Sequence, residues 1–272
     1  IITIDAPHVI RKLIEQYIEF PAKPFVSEAR RASFQRRITR EIAELLRTEG
    51  YFTPEIHFEP AAASLHYHLK IILGPRTRVA AFLLEFKGAI ADETSGNQVR
   101  RDQLLATWPL TTGRIFKNSR WEDAKSALLA SVMAQDYAAA RIESSEARIN
   151  PDEARAELKI VIDSGPAFHF GELQVKGLAR YPLTLLQQRA GFRQGDPYNR
   201  DQLLAFQAML QNNSLFNSVD VSIDTDPALA PAVPVSVVLT EAKSKRIGIG
   251  LGYSSNNGAR SEINYRDFNF LQ

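Results

Sequence analysis

Residues 247–272 read IGIGLGYSSNNGARSEINYRDFNFLQ. Ile247, Ile249, Leu251 and Tyr253 take every second position, with Gly248, Gly250 and Gly252 between them. Side chains alternate across a strand, so one face is large and apolar and the other is bare backbone. Ser254 to Gly258, ending in Asn257-Gly258, is a turn signal. It returns the chain into Ser261 to Phe270, where Ile263 and Tyr265 alternate with Glu262, Asn264 and Arg266. Such a hairpin suits the start of a transmembrane β-barrel, and equally an amphipathic hairpin of a soluble sheet. Barrel closure takes about eight strands or more, each roughly 10 residues long. On the barrel reading the chain is therefore expected to be a fragment, and the residues upstream must decide.

Upstream, one order of elements recurs. Ile1 to Ala6 is a β-branched run, and Leu13, Ile14, Tyr17 and Ile18 follow at helical spacing within Val9 to Phe20. A second helix carries Phe34, Ile38, Ile42, Leu45, Leu46 and Glu49 at steps of three and four. Strands are predicted over Tyr51 to Phe58 and Leu65 to Leu73. Gly74-Pro75 then punctuates the chain. A second copy has strand Val79 to Lys87, helices Gln98 to Trp108 and Trp121 to Gln135, and strands Ala140 to Ile149 and Ala154 to Ile162. After Gly165-Pro166 comes a third: strand Phe170 to Lys176, helices Leu183 to Ala190 and Arg200 to Asn212, strands Ser218 to Asp224 and Val233 to Thr240.

Residue columns carry the repeat. Ile42, Leu128 and Phe206 share their offsets with Leu46, Val132 and Leu210, and with Tyr51, Tyr137 and Leu215. Gly88 and Gly177 follow the first strands at equivalent positions, where glycine eases a sharp exit, and Ala6 is the departure. Ser119 with Glu122 reads as a capping box, and Asn199 as the cap of the helix containing Leu203, Phe206 and Leu210. The expected fold is α+β: three tandem β-α-α-β-β modules in an extended array, 1–75, 76–166 and 167–243, followed by a hairpin over 244–272.

Composition agrees with ordinary cores and excludes several chemistries. Of 272 residues 44% are hydrophobic, and 33 basic against 31 acidic residues leave a net charge of +2. That imbalance is small for a nucleic-acid binder. With no cysteine there is no thiol nucleophile, thiolate metal site or disulfide. No apolar run reaches the roughly 18 residues of a membrane helix. The strand-like start suits a mature, trimmed sequence. No phosphate-binding glycine loop and no G-x-S-x-G elbow is present, so nothing argues for an enzyme.

The third copy also reads Gly195-Asp196-Pro197-Tyr198-Asn199, then Leu203, Leu210 and Leu215-Phe216-Asn217-Ser218-Val219-Asp220-Val221. It resembles the POTRA domains of the Omp85 family. Gly113 and Phe116 stand in the second copy where Gly195 and Tyr198 do in the third. The hairpin, with Gly252-Tyr253-Ser254 and Tyr265-Arg266-Asp267-Phe268-Asn269-Phe270-Leu271, resembles the first two barrel strands of that family. Three modules, with a first strand ending Ile4-Asp5-Ala6-Pro7, are most similar to its TamA-like members. The resemblance implies an outer-membrane barrel with residues 1–243 in the periplasm. It also implies an inner-membrane-anchored TamB-like partner, and a role in assembling outer-membrane proteins and autotransporters or in lipid traffic.

The individual candidates follow. His66 and His68 share a strand face and His57 sits on the strand paired to it, but no carboxylate or cysteine completes a zinc shell, so no metal is expected. His8 and His169 are isolated. Asp224 and Asp226 around Pro227 read as turn chemistry. Arg30, Arg31, Arg36, Arg37 and Arg40 read as the water face of a helix, aided by Glu41 and Glu44, against a contact with anionic headgroups or an acidic partner. Trp108, Trp121 and Phe25 read as core. No cofactor is expected. The partner is expected on the first module's edge strand, at Phe52, Ile56 and Phe58. Client strands are expected at a weak seam formed by Ile247, Gly248, Ile249, Gly250, Leu251, Gly252 and Tyr253, since glycine weakens a strand. Two other readings stay open. A two-partner secretion transporter would have two modules and a preceding plug helix. An RNA-binding α/β repeat would need stacking aromatics and a basic stripe.

Overall fold

A computed structural model of the chain describes residues 2–20, 27–60, 67–242, 245–254 and 258–267. The first module is β1 (Ile2–Asp5), α1 (His8–Tyr17), α2 (Glu28–Thr48), β2 (Glu55–Pro60) and β3 (Tyr67–Ile72). The second is β4 (Arg78–Lys87), α3 (Ser95–Ala106), α4 (Asn118–Met133), β5 (Arg141–Asn150) and β6 (Arg155–Asp163). The third is β7 (Phe170–Lys176), α5 (Leu183–Gln187), α6 (Arg200–Gln211), β8 (Phe216–Ile223) and β9 (Val233–Glu241). β10 (Lys245–Ser254) and β11 (Gly258–Asp267) form a separate two-stranded antiparallel sheet.

In each module the last strand lies at the centre of its sheet, in the orders β1-β3-β2, β4-β6-β5 and β7-β9-β8. It runs parallel to the first strand and antiparallel to the second. A parallel pair needs a long crossover, which the two helices supply, whereas a short connection suffices for the antiparallel pair. Two of the sequence columns become buried columns: Ile42, Leu128 and Phe206 are at most 5% exposed, as are Leu46, Val132 and Leu210, while in the third Tyr137 is buried and Tyr51 and Leu215 are half-buried. In β9 the alternation is complete, with Val233, Val235, Val237 and Leu239 buried and Val238 turned outward. Each such side chain stabilises the core by roughly 1.5–3 kcal/mol. Trp108 stacks on Phe82 with ring centroids 4.1 Å apart and meets Trp121 edge-on at 6.0 Å, as a core pair should.

Some boundaries differ from the sequence reading. The second strand begins at Glu55 because Tyr51 is bridged to Arg76 and Phe52 lies in a bend. Ser119 is no cap: α4 starts at Asn118, which puts Ser119 inside its first turn. Asn199 does cap α6, accepting from Asp201 N at 2.9 Å and Gln202 N at 3.2 Å. Phe25 and His66 lie outside the described residues. Packing divides the chain into two compact units, residues 1–87, 91–131 and 141–163, and residues 88–90, 132–140 and 164–272.

Within the first unit, the end of α2 meets the start of β4 in a small hydrogen-bonded joint. Thr77 N donates to Gly50 O at 2.8 Å, and Phe116 N donates to Thr77 O at 3.0 Å. Around it, Glu49 receives Lys117 at 2.5 Å and Arg76 at 3.5 Å, and the Phe52 and Phe116 rings lie 6.3 Å apart. The second unit contains the same pattern: Phe168 N donates to Asp136 O at 2.6 Å, and Tyr198 N donates to Phe168 O at 2.9 Å. Gly50 and Asp136 both have positive φ, 92° and 62°. A Cβ added at Gly50 would lie 2.3 Å from Phe116 O, a backbone atom that cannot swing aside. At Gly113, also at positive φ, nothing lies within 4 Å. Gly50→Ala is therefore expected to destabilise the first unit by about 2 kcal/mol or more, and Gly113→Ala by about 1 kcal/mol. Denaturant midpoints check this, and equal effects at the two sites would refute the steric part.

Candidate binding edges

With the closing strand at the centre, the first and second strands of each module's sheet are edges among the described residues. Each edge offers backbone donors and acceptors on one side. In two modules the loop carrying the Gly motif covers the beginning of the first strand. Gly113 N donates to Val79 O and Val79 N to Arg114 O, both at 2.8 Å. Gly195 N donates to Phe170 O at 2.7 Å and Phe170 N to Asp196 O at 2.9 Å. The motif thus has a local cause: Gly195, at φ 91°, turns the loop, Asp196 accepts from Arg193 N at 2.8 Å, and Tyr198 is buried beside Phe170.

Beyond Phe170 the register of β7 shifts by a bulge before Leu173, and the covered part of the edge ends. There β7 borders a groove of about 500 Å³ whose lining includes Glu172, Leu173, Leu183, Gln187, Phe192 and Arg193. The lining mixes apolar Leu173, Leu183 and Phe192 with polar Glu172, Gln187 and Arg193, which suits an extended peptide that pairs with β7 and alternates apolar and polar side chains. Sequence reasoning missed this groove, because it is assembled from a strand, a five-residue helix and a loop.

In the first module β2 is an edge, but its apolar side chains turn inward. Ile56 and Phe58 pack against the core, with the Phe58 ring 6.2 Å from Phe34. Phe52 precedes the strand and faces Phe116. Glu55 and His57 are the residues that face out, so β2 presents backbone and polar side chains to a partner. His57 lies opposite Lys70, and His68 opposite Glu59. Among the described residues no three His, Cys, Asp or Glu side chains gather as metal ligands. Asp224 and Asp226 make turn bonds, Asp226 N donating to Asp224 Oδ1 at 3.0 Å and Ala228 N to Asp226 Oδ1 at 2.9 Å.

In the hairpin, Ile247 pairs with Tyr265 and Ile249 with Ile263, while Gly248 faces Asn264 and Gly250 faces Glu262. Leu251, Gly252 and Tyr253 continue the register against Ser261, Arg260 and Ala259. Ile249, Ile263 and Tyr265 are 70%, 72% and 57% exposed, a continuous uncovered apolar face. A Cβ at Gly248 or Gly250 would meet nothing nearer than 3.8 or 3.7 Å, so the hairpin's own packing does not require glycine there. The described residues contain these two strands and no closed barrel, and no helix among them is long and apolar enough to cross a membrane.

The chain enters the hairpin from a firmly tied point. The Glu241 side chain, 8% exposed, accepts from Ala179 N at 2.8 Å, Arg180 N at 2.9 Å and Arg180 Nε at 2.7 Å. Arg180 also donates to Ala242 O. In the preceding module Ser164 Oγ has the same role, accepting from Ile90 N at 3.1 Å. Burial alone would raise the Glu241 pKa, but the bonds from Arg180 and Ala179 outweigh it and lower the pKa from 4.5 to about 2. A depressed carboxylate contributes stability above its ordinary pKa and loses it as pH falls toward the folded value. Glu241→Gln should cost the second unit roughly 1–2 kcal/mol at neutral pH, discounted for the partly exposed Arg180. In denaturant unfolding the difference from the parent should fade between about pH 4.5 and about pH 2, and a pH-independent difference would refute the assignment.

Comparison with known proteins agrees with this architecture. The sequence matches the POTRA family, described as surface antigen variable number repeat, over residues 93–165 and 168–242, more than half of the chain. POTRA3-5 of BamA from Haemophilus influenzae is similar with a TM-score of 0.50 and 16% identity, covering 88% of this chain and 94% of that one. BamA from Haemophilus ducreyi lacking POTRA domains 1-3 is similar with a TM-score of 0.54 and 14% identity, covering 71% of this chain and 35% of that one. At such identities the likeness is one of fold.

Proposed function

The chain belongs to the POTRA family, and we propose that it is the periplasmic part of an Omp85-type outer-membrane assembly or translocation factor. It works as a scaffold that docks extended chains and passes them to a barrel, and it is not an enzyme. The observation that carries this reading is the set of edge strands left by the central closing strand, above all the open part of β7 beside its groove. Backbone pairing on such an edge accepts many sequences, which suits a factor that serves varied clients.

The finer assignment is to a TamA-like member. The inner-membrane-anchored TamB-like partner docks on the edge β2, against the backbone around Ile56 to Phe58 with Glu55 and His57 outward. Unfolded outer-membrane proteins or autotransporters are the clients, and β10 and β11 are the first strands of the barrel. The exposed Ile249, Ile263 and Tyr265 face suits outer-membrane lipid, and the opposite Gly248 and Gly250 face suits the lumen. The free edge of β10 pairs with the last barrel strand in a seam weakened by its glycines, each costing roughly 0.5–1 kcal/mol relative to alanine. In the full-length protein, a disulfide engineered across that seam should abolish client assembly while the barrel stays folded. Undiminished client assembly with the seam oxidised would contradict the seam as the client site.

A further inference from the structure

Helix α2 turns Phe34, Ile38, Ile42 and Leu46 to the core. At 3.6 residues per turn, the opposite pole is held by Arg36, Arg40 and Arg47, within about 40° of arc and about 16 Å of helix length. All three are exposed. Their neighbours are matched to acids: Arg31 meets Glu28 at 2.7 Å and Arg37 meets Glu41 at 2.9 Å. Among the described residues Arg36, Arg40 and Arg47 make no ion pair within 4.0 Å. Arg36 and Arg40 stand at i and i+4, where like charges repel, and Glu44, at i+4 from Arg40, forms no ion pair with it within 4.0 Å among the described residues. Beside this row Gln35, Thr39 and Ala43, all half-buried, line with the three arginines a shallow depression of about 440 Å³. The structure thus separates Arg31 and Arg37, which are paired to acids, from Arg36 and Arg40 of the same sequence cluster, and adds Arg47, which the sequence reading does not include.

We propose that this row is a docking surface for the anionic headgroups of a phospholipid membrane, with the guanidinium groups binding lipid phosphates. Guanidinium is the side chain suited to phosphate, through paired N–H bonds. The row runs along the most outward line of the helix, so a flat surface reaches all three groups at once. An acidic protein segment would instead call for an apolar anchor, and Ala43 is the only apolar residue in the depression. Headgroup binding at this helix is separate from strand docking on β2 and from the hairpin's apolar face.

The test is sedimentation of the 272-residue chain with vesicles of phosphatidylcholine alone or containing about one third phosphatidylglycerol, at low salt. The phosphatidylcholine arm reports any contribution of the hairpin, so the two readings fail separately. The parent should prefer phosphatidylglycerol vesicles. The triple variant Arg36→Gln/Arg40→Gln/Arg47→Gln should lose that preference, on the order of 100-fold in partitioning. Its binding to phosphatidylcholine and its circular dichroism should be unchanged. Arg31→Gln/Arg37→Gln, which removes the acid-paired arginines, should keep most of the preference. The proposal is overturned if the parent shows no preference for phosphatidylglycerol or if the triple variant keeps it. It is also overturned if the row binds poly-glutamate and inorganic phosphate but not vesicles.

Discussion

The pairing of each module's last strand between its first and second strands is the constraint on which the rest depends. Because the centre of the sheet is filled last, the two helices must cross over one face before the closing strand can enter. That face is where α2 and α6 bury their apolar stripes. The same arrangement leaves the first and second strands at the sheet edges among the described residues, with only the starts of β4 and β7 covered by loops, and it brings the chain out at the middle of the sheet. Docking edges and tied exits are two consequences of one topology.

The exits show how one geometric need is met by different chemistry. The loop after the first strand has backbone N–H groups aimed at the end of the closing strand. Ser164 satisfies them with a hydroxyl in the second module, and Glu241 with a carboxylate in the third. The stronger, charge-assisted form stands where the chain leads into β10 and β11. Gly177 belongs to the same corner: a Cβ there would lie 1.9 Å from Leu239 O, so the first strand can pass the closing strand only as glycine.

Much of this was legible in the sequence because periodicity reports burial. Val233, Val235, Val237 and Leu239 announce a half-buried strand, and Ile42, Leu128 and Phe206 announce a repeated helix face. Alternation in Glu55, Ile56, His57 and Phe58 already distinguishes an inward from an outward side, yet Ile56 and Phe58 were expected at a partner surface. Their apolar character marks the core. Gly88 and Gly177 were legible as sharp exits, and what escaped was what no residue type announces. Gly50 and Asp136 stand at the offset that joins Tyr51 to Tyr137 and share a positive φ and a hydrogen-bonding role, but glycine and aspartate have no common chemistry to mark that position. The groove beside β7 draws on segments separated in sequence, and the split between paired and unpaired arginines on α2 depends on side-chain placement.

The central claim is that open strand edges are the working surfaces of this chain, with β7 the foremost. Amide hydrogen exchange, measured with and without a synthetic extended peptide of alternating apolar and polar residues, tests it most directly. The account predicts new protection in β7 from Glu172 to Lys176, and none in β9, which is already paired on both sides. Peptide binding that leaves β7 unprotected, or that protects only the helices, would contradict it.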